Sequence, residues 1–508
     1  MTNGASLIWR WAQETPDAPA LRDDGRSWSF AELRTAVRGA MEALAERGVR
    51  PQDRVLLVVP TSAEFVITYH AVLALGATAV TVNPLCAQRE LTHFVEDAGC
   101  TLALGWHESP EAVAATAAAL ELPLWLLEPD CVPAPRGTLD PVDAGSDGPA
   151  VLLYTSGTTG APKGAILTHG NLLSCGESLA EALALGSGES MGTALPLFHV
   201  FGQSSSMFTV YTAGGCMSLL RPFDPAKLLR MAADQRLTSV AGVPTMWNAM
   251  LHAETDVTRE DLASLRLACS GGAALPLEVG KAFHDRFGAV VLDGYGLSET
   301  AGAATFNRDD CPRKEMSVGR ALPGGALAIL DEDHQELPPG ETGEVGIRGP
   351  YVMSGYWNRR EATEAAFANG WFLTGDIGRM DEDGDLWIVD RKKDLVIRGG
   401  YNVYPREIEE VLYGHPDILE AAVVGVPDER LGEEIAAVIT PQPGASIDPT
   451  RLRAWLEERL AAYKVPRIYE VVDELPKGAT GKILKRAIDR PTIATTGERP
   501  ARVTTPTR

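Results

Sequence analysis

The segment YTSGTTGAPKGA, residues 154–165, constrains this chain more than any other. It follows the apolar run Val151-Leu152-Leu153, which reads as a short buried strand. Gly157, Gly160 and Gly164 free the backbone to turn tightly and approach a ligand. Thr155, Ser156, Thr158 and Thr159 add hydroxyl groups, and Lys163 adds a compact positive charge. Together these suit a polyphosphate. The segment is not a Walker A loop: Pro162 precedes the lysine, a glycine follows it, and the glycine-to-lysine spacing differs. A loose Gly/Thr stretch would ordinarily be a surface turn. This one is long, ordered and placed at a strand end, where α/β folds bind ligands.

The surrounding pattern is α/β. Ser29 and Glu32 form a capping box, and Leu33, Val37, Met41 and Leu44 recur at helical spacing before Gly48. RVLLVVP (54–60), ATAVTVNP (77–84), LTSVAGVP (237–244) and AVVLDGYG (289–296) read as buried strands between helical stretches. From about 318 to 390 short β-rich pieces alternate with Gly, Pro and Asp, which predicts a small barrel-like β subdomain. Beyond Asp390 comes a compact α+β unit. Its predicted helices open at Pro405 and Pro449, and its predicted strands are AAVVGV and EIAAVIT. The expected division is a large α/β N-terminal domain, 1–390, and a small α+β C-terminal domain, 391–490. The tail, 491–508, has almost no apolar residues and is expected to be disordered.

Composition excludes several classes. Seven cysteines, with no C-x-x-C pair and no histidine cluster, argue against a zinc site or a disulfide framework and suit a reducing cytosol. The first residues lack the basic and long apolar segments of a signal peptide, and the apolar stretch 71–82 is too short to span a bilayer. The expected location is cytoplasmic. A net charge of −22 repels nucleic acid and anionic membranes. It also repels anionic small molecules, so these need local basic clusters. Two stand out: Arg391-Lys392-Lys393 with Arg398, and Lys482 with Lys485-Arg486.

Taken with the motifs that follow it in order, the 154–165 loop closely resembles the phosphate loop of the adenylate-forming superfamily, and acyl-CoA synthetases in particular. The likeness covers about residues 29 to 490. It implies ATP, Mg²⁺ and coenzyme A as the reaction's partners, together with a small-molecule carboxylic acid. LPLFHVFG (195–202) resembles a core motif in which His199 lines or gates the acyl pocket. Adenylation domains for α-amino acids usually carry Asp there. A buried ammonium without a counter-charge is costly, so an α-amino acid substrate is disfavoured. SGGAALP (270–276) resembles the loop packing on adenine, with Gly271, Gly272 and Ala273 small enough for close approach. In DGYGLSET (293–300) the resemblance gives Tyr295 to adenine stacking, Ser298 to a phosphate oxygen and Glu299 to Mg²⁺. Ser298 replaces the usual Thr, and Asp293 stands where Gln or Asn is more frequent. Gly296 counts with the nucleotide and acyl residues, and Val243 and Gly302 with the acyl pocket.

WFLTGD (371–376) puts Asp376 at a strand end, where a carboxylate accepts both ribose hydroxyls; Arg391 would reinforce it. Lys393 falls at the family's hinge, about which the small domain is mobile. RGGYNVYPREIE (398–409) resembles the motif whose glycines, here Gly399 and Gly400, line the pantetheine path. PKGATGKILKR (476–486) resembles the motif carrying the lysine that bridges the substrate carboxylate and the α-phosphate, here Lys482.

The implied reaction is a two-step ligation. The acid attacks the α-phosphorus of ATP to give an acyl adenylate and pyrophosphate; CoA then displaces AMP. HVFGQSSSM, GVPTMWNAM and SETAGAAT are mainly apolar or small, without a cationic residue. They favour a fatty or medium-chain acid, with an aryl acid such as coumarate or benzoate as the second choice. A separate carrier protein is an alternative acceptor. The chain is compatible with a monomer or a homodimer.

Overall fold

The computed structural model describes residues 2–155, 162–308, 312–478 and 480–500. The alternation of apolar strands and capped helices produces two mostly parallel sheets that share one core. In the first, the strands run Gly355–Tyr356, Lys163–Thr168, Pro149–Thr155, Thr78–Thr81, Arg54–Leu57, Leu102–Trp106 and Leu124–Leu127. All joins are parallel except the first two. The antiparallel join of Pro149–Thr155 to Lys163–Thr168 sets Thr155 opposite Lys163, so the loop opened above is a hairpin connection.

The second sheet has nine strands. Its centre is the parallel set Val291–Tyr295, Leu267–Ser270, Ser239–Gly242, Ser190–Thr193, Cys216–Leu219 and Pro19–Asp23. Between the sheets lies the helix Ala63–Ala74, every residue of which is buried. Its neighbour Phe30–Glu46 starts at the expected box: the Ser29 hydroxyl accepts from the Glu32 N–H at 3.3 Å, and Glu32 accepts from the Ser29 N–H at 2.8 Å. A helix apolar on all sides needs cover on both faces, and the two sheets supply it.

The β-rich stretch forms a five-stranded antiparallel sheet built on Ala326–Leu330, Thr342–Arg348, Trp371–Met380 and Leu386–Arg391, with the short Phe367–Ala368. Core membership then changes. Ile388 still packs on the large core, while Val396 belongs to a second one formed with Val403, Ile408, Leu412 and Leu456. That second core backs a five-stranded sheet dominated by the long hairpin Ile418–Asp428 and Gly432–Pro441. Pro405 and Pro449 each open a helix in its first turn, as expected.

The expectation of disorder from residue 491 is wrong for the described part of the tail. Arg490–Thr496 is a helix, capped by Asp489 through the Thr492 N–H at 3.2 Å. Ile493 is 7% exposed and packs with Val438, Ile468 and Ile488. Glu498 then exchanges backbone hydrogen bonds with Tyr469 at 2.8 and 3.0 Å. A single well-placed isoleucine, a cap and an edge strand suffice, and a composition average cannot register them. Among the described residues no helix is long and apolar enough to cross a membrane.

Candidate active site

Four strand ends and two loops converge on one region. At the phosphate hairpin, Thr155 donates to Glu299 Oε1 at 3.5 Å, and the Lys163 ammonium sits 5.5 Å above the Tyr356 ring. Tyr356 in turn donates its hydroxyl to the same Glu299 oxygen at 2.9 Å. Thr155, Lys163, Glu299 and Tyr356 therefore form one cluster. Ser156, Gly157, Thr158, Thr159 and Gly160 lie outside the described residues. Glu299 belongs to the short 3-10 turn Ser298–Thr300, which follows the strand Val291–Tyr295. Its carboxylate, beside the Thr155 and Tyr356 hydroxyls, offers the hard oxygen donor that Mg²⁺ prefers.

A second cluster holds Asp376. The Tyr295 hydroxyl donates to Asp376 Oδ2 at 2.5 Å, and Arg391 Nε lies 3.4 Å from Oδ1. The pairing of Trp371–Met380 with Leu386–Arg391 sets Asp376 directly opposite Arg391. Burial raises the Asp376 carboxyl, while Arg391, the Tyr295 hydroxyl and Lys482 pull it back. Lys482 is delivered to this place by the small unit. Burial, then the neighbouring positive charge of Arg391, lowers its ammonium to about 8. Among the described residues it has no salt-bridge partner.

His199 precedes a π-helical stretch, Phe201–Phe208, a rare geometry frequent at functional sites. Its Nδ1 accepts from the Phe201 N–H at 3.3 Å. Enclosure, and secondarily the charge of Lys482, lower the imidazole to about 4, so it is neutral at physiological pH. Around it stand the other acyl-pocket candidates. A Cβ on Gly302 (φ +96°) would lie 2.4 Å from Ser205 Oγ, and one on Gly296 would lie 2.4 Å from the Gly302 carbonyl oxygen. Only glycine fits this contact. A Cβ on Gly271 would lie 3.3 Å from the Phe201 ring, and one on Gly272 would lie 3.7 Å from Val243. Ala273 is half-buried in the same loop.

Asp293 pairs with Ser270 in the strand register and accepts from the Leu275 N–H at 3.3 Å. Its Oδ1 is buried without a partner among the described residues. Burial raises the carboxyl to about 7, against the pull of Arg406 from the small unit.

The two basic clusters separate into different jobs. Arg391 and Lys482 face Asp376. Lys392 pairs with Glu344 at 3.2 Å, Lys485 with Glu409 at 2.7 Å, and buried Arg398 with Glu434 at 2.6 Å. Lys393 is exposed in the turn after Arg391. Gly399 (φ +57°) and Gly400 (φ +86°) form the two-residue tip of the hairpin Val396–Val403, the conformation of a type I′ turn. That tip is exposed. Asp381, Asp383 and Asp385 also converge, but the Lys314 ammonium fills their centre at 2.5 to 3.2 Å. Tyr356 and Arg406 were not singled out from the sequence; their partners are too far away along the chain for any local pattern to reveal.

Comparison with known proteins agrees with this geometry. Residues 8–357 match the model of the AMP-binding enzyme family, and residues 407–482 that of the AMP-binding enzyme C-terminal domain. A feruloyl-CoA synthase of Amycolatopsis sp is 39% identical, covering 95% of this chain and 97% of that protein. A long-chain-fatty-acid–CoA ligase of Bacillus subtilis (strain 168) is 36% identical over 95% and 93% of the two chains. Among solved structures, ATP-bound MatB from Rhodopseudomonas palustris superposes with a TM-score of 0.89 at 34% identity, covering 95% of this chain and 98% of that one. The apo form of the same protein, with the same coverage, gives 0.79.

Proposed function

Because this chain belongs to the AMP-binding enzyme family and is an acid–thiol ligase, we propose that the clusters around Glu299 and Asp376 form one site for two successive reactions. In the first, a carboxylate oxygen attacks the α-phosphorus of ATP. The acyl adenylate forms, and the bond to the β-phosphate oxygen breaks, releasing pyrophosphate. Asp376 and Arg391 hold the ribose, Tyr295 stacks on adenine, and Asp293 faces its edge. Lys163, Thr155 and the loop to Gly160 hold the departing phosphates, with Ser298 on a phosphate oxygen. Lys482 bridges the acid and the α-phosphate, where negative charge accumulates. Mg²⁺ on Glu299 would neutralise phosphate charge when bound. The observation that carries this reading is the delivery of Lys482, half-buried and without a salt-bridge partner among the described residues, to Asp376, Arg391 and His199. The better superposition on an ATP-bound relative than on its apo form supports the same placement.

In the second reaction the small unit turns about Lys393, Lys482 leaves, and the Gly399–Gly400 hairpin enters to guide the CoA thiol. Sulfur attacks the acyl carbonyl, the thioester forms, and AMP departs.

For the acid, the aryl reading is at least as well supported as the fatty-acid one, and we favour it. The feruloyl-CoA synthase is the more similar of the two relatives compared, and Phe201 together with Val243 and the small walls at Gly271, Gly296 and Gly302 suits a flat ring. The fatty-acid reading rests on the apolar pocket segments and on the Bacillus relative. CoA-dependent AMP release with ferulate, coumarate, benzoate, octanoate and palmitate tests both. A preference of at least tenfold in kcat/KM for a hydroxycinnamate is expected. A preference for palmitate would restore the fatty-acid reading, and activity with none of them would overturn the acid class.

A further inference from the structure

Lys482 sits on a small hairpin closed by its own backbone hydrogen bonds. Gly478 donates its N–H to the Lys482 carbonyl at 2.8 Å, Gly481 donates to the Gly478 carbonyl at 2.9 Å, and Lys477 bridges to Ile483. These internal bonds do not place the hairpin on the large unit. That attachment comes from one corner, Val243-Pro244-Thr245, where the helix Pro244–His252 begins.

The Thr245 hydroxyl donates to the carbonyl oxygen of Gly481, the residue before the lysine, at 2.9 Å. The fit is close: a Cβ on Gly481, which has φ +78°, would lie 3.0 Å from Thr245 Oγ1 and 3.4 Å from Val243. One turn further along the same helix, the buried Asn248 donates to the Leu419 carbonyl at 3.2 Å. Two side chains three residues apart share a helix face. Here both point at the small unit and grip main-chain carbonyls on separate segments. Backbone acceptors make the contact a test of position, because it forms only when the small unit is seated.

We infer that Thr245 is a positioning residue for the adenylation step: it latches the Lys482 hairpin to the large unit and must release when the small unit turns. This inference rests on the proposed two-step reading. It predicts an asymmetry that a merely structural residue would not show. Losing the latch should impair the half-reaction that needs Lys482 docked and spare the one in which Lys482 has left.

The test is Thr245→Val, which keeps the shape and removes the donor. ATP–pyrophosphate exchange and conversion of supplied acyl adenylate to thioester are measured separately. Exchange kcat should fall about fivefold to tenfold, as expected for one lost hydrogen bond at the reacting geometry. The KM values for ATP and acid should stay within about twofold, and thioester formation should hold its wild-type rate or rise. Thr245→Ser, which restores the hydroxyl, should recover exchange. Unchanged exchange in Thr245→Val, equal loss in both half-reactions, or failure of serine to rescue would each overturn the inference. If Thr245→Val does not fold, Asn248→Ala carries the same comparison. Lys482→Ala run alongside keeps the two levels apart: retained exchange there would overturn the two-step reading itself, whereas its loss with normal exchange in Thr245→Val would overturn only the latch.

Discussion

Two glycine-bearing hairpins leave the small unit, and their surroundings are opposite. The hairpin around Lys482 is enclosed against Asp376, Arg391 and His199 and is tied by Thr245. The hairpin tipped by Gly399 and Gly400 stands in solvent, with Ile397 54% and Tyr401 60% exposed. Yet the exposed hairpin is not loosely built. At its root Arg398 is buried and paired with Glu434, and it also donates to the Tyr463 carbonyl at 2.7 Å. Truncating one partner of such a pair would strand the other as a buried charge, so the anchor is costly to lose. Tyr401 further stacks on Tyr463 with ring centroids 5.0 Å apart. A firmly rooted hairpin with an unoccupied tip is what a part held in reserve for a second docking requires.

The sharpest way to break this contrast is Lys482→Ala. Pyrophosphate exchange should fall by about 10³-fold, the scale of losing one well-placed group facing transition-state charge. Thioester formation from supplied acyl adenylate should fall far less, and equal losses would dissolve the division of labour. Gly400→Val probes the other hairpin. Nothing lies within 4 Å of the added Cβ, so the cost is backbone strain at φ +86°, about 1–2 kcal/mol. Thioester formation should drop at least tenfold with exchange unchanged; a matching drop in exchange would place this hairpin in the first step.

The third prediction concerns pH. Lys482 is lowered to about 8, and the bridging role proposed for it needs the protonated form. In the free enzyme, exchange kcat/KM should therefore decline above about pH 8, approaching tenfold per unit, while thioester formation lacks that limb. A profile flat to pH 9.5 would contradict it. The smallest effect is Tyr356→Phe. Removing the hydroxyl that donates to Glu299 should raise the KM for ATP about fivefold in exchange, the scale of one ordinary hydrogen bond at about 1 kcal/mol. With Glu299 as the proposed Mg²⁺ ligand, adding excess Mg²⁺ should reduce the defect.

Much of the site could be read along the chain, because its parts are short motifs fixed by strand ends. Tyr295 ends its strand as the motif suggests, whereas Asp376 lies inside Trp371–Met380 rather than at the strand end the sequence suggested, and the register there sets it opposite Arg391. What could not be read is pairing across long separations. Nothing near Tyr356 announces Glu299, and nothing near Thr245 announces Gly481. The basic clusters show the same limit. Arg391 and Arg398 look alike in sequence, but a carboxylate on a distant strand, Glu434, removes one of them from ligand binding. The fold followed the same rule. Periodic helices such as Phe30–Glu46 were evident, whereas Arg490–Thr496 was not, since its only deeply buried side chain is Ile493.

That last helix has a practical side. Anyone shortening this protein by sequence complexity would cut near residue 490 and discard what looks like filler. The cut would remove Ile493 from over Val438, Ile468 and Ile488, and would take away the backbone partner that Glu498 gives to Tyr469 on the outer strand Ile468–Val471. An uncovered strand edge beside bare aliphatic surface invites self-association. The trimmed protein would then be judged poorly expressed or sticky, with its chemistry intact and the fault lying in the scissors.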